Sequence, residues 1–141
     1  MRYLSWLLKV LVIDDNQENI DVVTFFLELN GVTCVSESSG KKGLDILRNE
    51  NFDLVLLDLA IPDFSGIQIF DALKKEGTVS EKNIVIFTAS LVDEKEIDRL
   101  LREGAKGIVH KPLAIEDLEK LIHIHSKNNW QSSFQKDLWY I

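Results

Sequence analysis

The sequence predicts a three-layer α/β domain in which a five-stranded, doubly wound parallel sheet carries helices on both faces. Two patterns predict this class. Apolar runs of strand length recur five times without the alternation of a half-exposed strand, and a segment with helical apolar spacing follows each run. With 141 residues, of which 45% are hydrophobic, the chain can form one substantial core.

The elements follow one another along the chain in a regular order. The first apolar run is 10–13, and the helix after it has apolar residues at 20, 23, 26 and 27 and stops at Asn30-Gly31. Further strands are predicted at 32–37, 52–57, 84–87 and 107–110. The helices that follow them run through residues 44–47, 67–73, 97–101 and 114–125. In such a sheet, ligands bind beyond the carboxyl ends of the strands.

Composition limits the functional classes. Sixteen Lys and Arg against 23 Asp and Glu give a formal charge of −7, which argues against nucleic acid or an anionic membrane as the main partner. The single cysteine, Cys34, excludes a disulfide framework and a cysteine metal cluster, and we expect a buried structural thiol. Residues 1–8 form a lead-in that is too short for a signal-peptide core or a membrane span.

Polar side chains stand at the ends of four predicted strands. Asp14 and Asp15 follow the first strand, Asp58 the third, Thr88 the fourth and Lys111 the fifth. Because the carboxyl ends of parallel strands share one edge of the sheet, we expect all five side chains at a single crevice.

These residue types suit phosphoryl chemistry. Three clustered carboxylates relieve their repulsion by holding a hard divalent cation, and oxygen ligands beside a phosphate site favour Mg²⁺. A carboxylate can also attack phosphorus and form an acyl phosphate. A lysine and a hydroxyl nearby would stabilise the charge on the transferring group.

Residues 9–125 resemble the receiver domain of two-component response regulators, and the length is similar to that of stand-alone receivers of the chemotaxis type. Several spacings carry the resemblance: the acid pair after the first strand, Pro62 and Gly66 four and eight residues after Asp58, Thr88 thirty residues after it, and the final Lys-Pro. The resemblance implies the flavodoxin-like strand order 2-1-3-4-5.

The resemblance also implies a Mg²⁺ site. Asp15 and Asp58 would bind the ion directly, Asp14 would act through a bound water, and the Ala60 carbonyl would complete the protein ligands.

The remaining implied roles concern the phosphoryl group. Asp58 would be the phosphoacceptor, Thr88 would hydrogen-bond the phosphoryl oxygens and Lys111 would pair with them as a point charge. Family precedent further implies a cis peptide bond between Lys111 and Pro112.

Two positions depart from the usual receiver pattern. Ile108 stands three residues before Lys111, where receivers usually carry an aromatic switch residue, so an aromatic rotamer change is not expected there. Ala60 stands two residues after Asp58, where a larger side chain often shields the acyl phosphate. Its methyl group predicts phosphoryl hydrolysis that is not strongly retarded.

The predicted function is a cytoplasmic phosphoryl-accepting switch that catalyses only its own phosphorylation and dephosphorylation. A sensor histidine kinase or phosphotransfer protein would supply the phosphoryl group, and a downstream protein target would read the change, because no output module follows residue 125. The sequence leaves open whether phosphorylation drives formation of a homodimer.

The sequence disfavours two other functional classes. A phosphohydrolase of the haloacid dehalogenase type also forms an aspartyl phosphate, but it needs a second acid two residues after the nucleophile, where Ala60 stands. A flavin-binding module would need a glycine- and hydroxyl-rich loop after the first strand, and the acidic "DDNQEN" would repel its phosphate.

The remaining features have simpler interpretations. Asp63 is interpreted as a turn residue and His110 as structural, while His123 and His125 are a poor metal pair, since they point to different sides of a helix. Residues 126–141 form a tail in which Trp130, Phe134 and Leu138 recur at helical spacing. We expect a short amphipathic helix that packs on its own domain, with docking of a partner or second subunit as the alternative.

Overall fold

The computed structural model describes residues 8–89 and 92–125. Five strands alternate with five helices, and a short 3-10 turn, Val79–Glu81, precedes the fourth strand. The strands are β1 Lys9–Ile13, β2 Thr33–Glu37, β3 Leu54–Leu57, β4 Ile84–Thr88 and β5 Gly107–His110. The helices are α1 Gln17–Leu29, α2 Gly40–Asn49, α3 Gly66–Lys75, α4 Glu94–Glu103 and α5 Ile115–His125.

The sheet has the predicted topology. All neighbouring strands are parallel, in the order β2-β1-β3-β4-β5, which confirms the doubly wound α/β prediction. The winding reverses at β1, and β1 and β3 pair with Ile13 opposite Leu57. The reversal therefore places the crevice beyond the ends of β1 and β3.

Alternate residues of each central strand supply two separate cores. Along β1, Leu11 and Ile13 pack with α2, α3 and α4, whereas Val10 and Val12 pack with α1 and α5. Side chains of successive strand residues point to opposite faces, so covering both faces requires an apolar residue at every position. This requirement explains the unbroken apolar runs in the sequence.

Side-chain caps determine where several helices begin. Asn16, Ser39 and Ser65 each accept a hydrogen bond from the backbone N–H three residues later, at the starts of α1, α2 and α3. At α3 the arrangement is reciprocal, since the Gln68 side chain accepts from the Ser65 N–H.

The edge strand β2 departs from the prediction of buried strands. None of its residues is fully buried, and Cys34 is half-buried, where a buried thiol was expected. Partial burial raises the pKa of the Cys34 thiol. Predicted strand boundaries differ by one or two residues: the predicted strand 52–57 begins at Leu54, and the predicted strand 32–37 begins at Thr33.

Within the described residues, no helix combines the length and apolar character needed to cross a membrane. The lead-in residues 1–7 and the predicted tail helix within 126–141 lie outside the described residues.

Candidate functional site

Backbone hydrogen bonds between neighbouring strands fix two carboxylates at the crevice. Asp14 directly follows β1 and Asp58 directly follows β3. The Asp58 N–H donates to the Ile13 carbonyl at 2.9 Å, and the Asp14 N–H donates to the Glu37 carbonyl of β2 at 3.1 Å. Both positions therefore depend on strand pairing and not on a loop.

Three carboxylates meet at this point. One carboxylate oxygen each of Asp14, Asp15 and Asp58 lies within 4.8 Å of the others. Asp14 and Asp58 are buried and Asp15 is exposed, so the group opens to solvent on one side. An oxygen-only donor set with open access has the chemistry that a hard divalent cation such as Mg²⁺ requires, so these residues fit the implied metal.

Lys111 supplies the positive charge of the cluster. Its ammonium nitrogen lies 2.8 Å from Asp14 Oδ2 and 3.4 Å from Asp58 Oδ2, and it stands 4.9 Å from the centre of the buried Phe87 ring. One ammonium thus contacts two of the three carboxylates. The peptide bond between Lys111 and Pro112 is cis, as family precedent implied.

The electrostatic setting of Asp58 is unusual for an aspartate. Burial raises the pKa of this carboxyl; the N–H of Ala60, which donates to Asp58 Oδ1 at 3.0 Å, opposes the rise. The neighbouring Asp14 carboxylate raises this pKa further, and the Lys111 ammonium lowers it. A poorly solvated carboxylate close to a like charge is stabilised when its own charge is neutralised. A bound cation or a covalent bond to one of its oxygens would do this.

The Asp14 carboxylate is held by its own loop. Oδ1 accepts from the Asn16 N–H at 2.9 Å, and Oδ2 accepts from the Asn19 side-chain amide at 3.4 Å. Asn16, the N-cap residue of α1, directly follows the Asp14-Asp15 pair. The start of α1 is therefore part of the site.

Thr88 and Ala60 line the same cleft as the carboxylates. Thr88 is the last residue of β4, is buried, and donates its hydroxyl proton to the Ala89 carbonyl at 3.1 Å. The cleft has a volume of about 590 Å³ and is also lined by Asn16, Asn19 and Val92. Ala60 is exposed, so its methyl group leaves open space beside Asp58.

The loop after Asp58 turns back closely on itself. A Cβ at Gly66 would collide with the carbonyl oxygen of Asp58, so a residue with a side chain would force the loop away from the strand end. The Gly66 N–H donates to the Leu59 carbonyl at 3.1 Å. This contact explains why a glycine stands eight residues after the acid.

Asp63 has a larger role than the turn residue that the sequence suggested. Its carboxylate accepts from the Ser39 hydroxyl at 2.9 Å and from the backbone N–H groups of Gly40 and Lys41 at 2.9 and 3.3 Å. The Gly40 N–H, followed by the Ser39 hydroxyl, lowers the pKa of Asp63 to about 2. The loop that carries Asp58 and Ala60 is therefore joined to the start of α2.

Ile108 and the three histidines lie in ordinary environments. Ile108 is buried and packs in the core on the α2, α3 and α4 side, with no aromatic ring at this position. His110 and His123 are exposed and His125 is half-buried; none lines the cleft. Burial lowers the pKa of His125 to about 4, which is the behaviour of a packed histidine.

Comparison with known protein families gives a match over most of the chain. The family model of the response regulator receiver domain matches residues 10–123. A hybrid signal transduction histidine kinase G of Dictyostelium discoideum is 30% identical over 119 residues, covering 82% of this chain but only 3% of that far longer protein. The polar-differentiation response regulator DivK of Brucella ovis is 26% identical over 107 residues, covering 76% of this chain and 86% of the relative.

A solved structure agrees with the sequence comparisons. A response regulator receiver domain protein from Clostridium thermocellum superposes with a TM-score of 0.73 and 30% identity, covering 84% of this chain and 94% of the other. The family-model match over residues 10–123 begins within β1 and includes every strand that borders the cleft.

Proposed function

This chain belongs to the response regulator receiver domain family of two-component signalling, and from that premise we propose that it is a switch in which Asp58 accepts a phosphoryl group in a Mg²⁺-dependent reaction. One observation carries the proposal: three carboxylates and the Lys111 ammonium converge at the strand ends, with Lys111 within 3.4 Å of Asp58. Receivers of this family act as signalling switches, so the proposal concerns which residues perform each step.

Asp15, Asp58 and the Ala60 carbonyl would hold the Mg²⁺ ion, with Asp14 acting through a bound water. A bound ion would supply charge neutralisation between the carboxylates and the phosphoryl oxygens. The 4.8 Å grouping of the carboxylate oxygens supports this assignment, as does the open side at Asp15.

The transfer step uses the Asp58 carboxylate as the nucleophile. One carboxylate oxygen attacks phosphorus of a phosphohistidine, the P–O bond of an acyl phosphate forms, the P–N bond breaks, and the electron pair of that bond leaves with the imidazole. Partial desolvation leaves the carboxylate poorly stabilised before the reaction, which favours the bond-forming step. Lys111 then pairs with the phosphoryl oxygens, and the Thr88 hydroxyl turns from the Ala89 carbonyl to donate to them.

The switching surface is proposed to be α4, the loop before it and the side of the domain that α4 shares with β5. α4 is weakly anchored, because Leu100 is its one fully buried residue, whereas α3 buries Ile69, Phe70 and Leu73 as well as Gly66. Elements with few buried apolar contacts open at low cost and are suited to a two-state change.

The proposed partners are a sensor histidine kinase or phosphotransfer protein as donor and a protein target as reader. A net charge of −7 disfavours nucleic acid and anionic membranes as partners. We place the protein in the cytoplasm with its donor.

The competing classes have less support. Ala60 provides no acid two residues after Asp58, so a phosphohydrolase of the haloacid dehalogenase type would lack its proton donor. A flavin phosphate at the end of β1 would face the Asp14 and Asp15 carboxylates.

Intact mass after incubation with Mg²⁺ and acetyl phosphate tests the proposal. The parent protein is expected to gain one labile phosphoryl group, and Asp58→Asn is expected to gain none. Asp98→Asn is the matched control, because Asp98 is an exposed aspartate on α4 away from the cleft, and it should be modified like the parent.

Three results would contradict the proposal. Labelling of Asp58→Asn would place the acceptor elsewhere, and labelling that persists in EDTA would remove the metal from the mechanism. Sustained release of phosphate from phosphate esters would favour the hydrolase class.

A further inference from the structure

The outer face of α1 exposes a row of large apolar side chains. Val22, Phe25 and Leu29 are 59%, 66% and 67% exposed, and their spacing of three and four residues places them on one side of the helix. The buried side of α1 carries Ile20, Val23 and Leu27 instead. We call Val22, Phe25 and Leu29 the α1 outer stripe; an exposed apolar row of this kind usually marks an interaction surface.

We propose that residues 126–141 of the same chain pack on the α1 outer stripe. The proposal is independent of phosphorylation, and it gives the sequence-predicted tail a definite binding surface. Three observations support it: the place where α5 ends, the apolar spacing of the tail sequence, and the charges of the two segments.

The position at which α5 ends would let the tail reach the α1 outer stripe. α1 and α5 contact each other and pack into the same core on one face of the sheet. Both helices run back from the cleft, so Leu29 and His125 lie toward the same edge of the sheet. Neighbouring helix axes are about 8–10 Å apart, and the four residues 126–129 can span up to about 13 Å when extended.

The apolar spacings of the two segments match when they run antiparallel. Trp130, Phe134 and Leu138 recur every fourth residue, which is one face of a helix. Read in the opposite direction, the stripe presents Leu29 first, then Phe25 four residues away and Val22 three residues beyond. With a rise of about 1.5 Å per residue, the two rows stay aligned to within about one residue.

The charges of the two segments are complementary. α1 has three acidic residues and no Lys or Arg. These acids are Glu18, Asp21 and Glu28. The tail carries Lys127 and Lys136 against a single Asp137. Opposite charge favours the tail over a second α1 face, which would bring the same three acids together.

Tryptophan fluorescence tests the proposal in the full chain. The three tryptophans are Trp6, Trp130 and Trp139, so Trp6→Phe leaves emission from the tail alone. In this background, Phe25→Asp should shift the emission to longer wavelength and increase quenching by acrylamide. Ile115→Asp is the matched control, because Ile115 is a 56% exposed apolar residue of α5 outside the stripe, and it should leave both signals unchanged.

A double-mutant cycle separates direct contact from a general effect on folding. Phe25→Asp and Phe134→Asp should each lower the melting temperature, and the double variant should lose little more than either alone. Additive losses, or unchanged emission in Phe25→Asp, would overturn the proposal. Emission that depends on protein concentration would also overturn it, since a second copy would then be the occupant.

Discussion

Asp58 and Asp63 lie five residues apart in one loop, and their surroundings affect them in opposite ways. Burial raises the pKa of Asp58 beside the Asp14 carboxylate. Exposed Asp63 accepts hydrogen bonds from Ser39, Gly40 and Lys41, and the Gly40 N–H leads these donors in lowering its pKa to about 2.

The difference separates two uses of the same side chain. Ionised Asp58 is costly to the fold, and this cost is what a cation or a phosphoryl group would relieve. Ionised Asp63 stabilises the fold, because donors already surround it. One loop thus combines a carboxylate whose charge is poorly stabilised with a structural one that ties the loop to α2.

The largest effect is expected from Gly40→Ala, which disturbs the contact between the Asp63 loop and the start of α2. A Cβ at Gly40 would collide with the backbone carbonyl of Phe64, so the loop and the start of α2 would have to separate. We expect the free energy of unfolding in urea to fall by about 2–3 kcal/mol, the upper part of the range of about 1–3 kcal/mol that overpacking costs. Lys41→Ala, on an exposed neighbour in the same helix, should change it little; equal stability of both variants would show that the contact is loose.

Removing the charge at Asp58 should change the free energy of unfolding in the opposite direction and stabilise the fold. We expect Asp58→Asn to raise the free energy of unfolding at pH 7 in EDTA by on the order of 1 kcal/mol. Because the folded pKa lies above the unfolded one, the cost of ionisation appears as pH rises through the folded pKa and is absent below the unfolded value of 3.8. The gain over the parent should therefore shrink at pH 4.

A gain that is equal at pH 4 and pH 7 would contradict the electrostatic explanation for Asp58. Asp98→Asn serves as the exposed control in the same titration.

Asp63→Asn is expected to lower the melting temperature at pH 7 by a smaller amount. The asparagine oxygen still accepts hydrogen bonds but lacks the charge that strengthens them. Because the pKa of Asp63 is lowered from 3.8 to about 2, its stabilising effect is present above pH 3.8 and is lost as pH falls toward 2. A melting temperature equal to that of Asp98→Asn at pH 7 would show that the charge of Asp63 adds nothing to these hydrogen bonds.

The smallest effect is expected at Ala60, which lies between the two aspartates. A longer side chain in Ala60→Met should partly cover Asp58 and lengthen the lifetime of the phosphoryl group proposed there about threefold, a barrier change below 1 kcal/mol. Loss of label followed by intact mass measures this, with exposed Lys75→Met as control. An unchanged lifetime would mean that the side chain at position 60 does not control access of water.

The fold was predictable because its strands need apolar residues on both sides, which leaves unbroken runs such as 54–57 and 84–87 in the sequence. The edge strand was harder to predict, because β2 is covered less and none of its residues is fully buried. The meeting of Asp14, Asp58 and Lys111 was predictable from strand ends alone, since parallel strands end at one edge.

The contact of Asp63 with α2 was missed because it joins two loops that no periodic pattern relates. A signal was nevertheless present. The first turn of α2 has no acidic residue of its own, and Lys41 and Lys42 occupy it instead. A helix start without a carboxylate can take one from elsewhere in the chain, but the sequence does not say from which loop.

The pairing of Ile13 with Leu57 has a consequence for biosynthesis. A slip of one residue between β1 and β3 would turn Asp58 away from Asp14, and Lys111 reaches both acids only after β5 has joined the sheet. A nascent chain still on the ribosome, or a fragment cut before residue 111, therefore lacks the assembled cleft. The chemistry proposed for the cleft would therefore require the complete sheet, from β1 to β5.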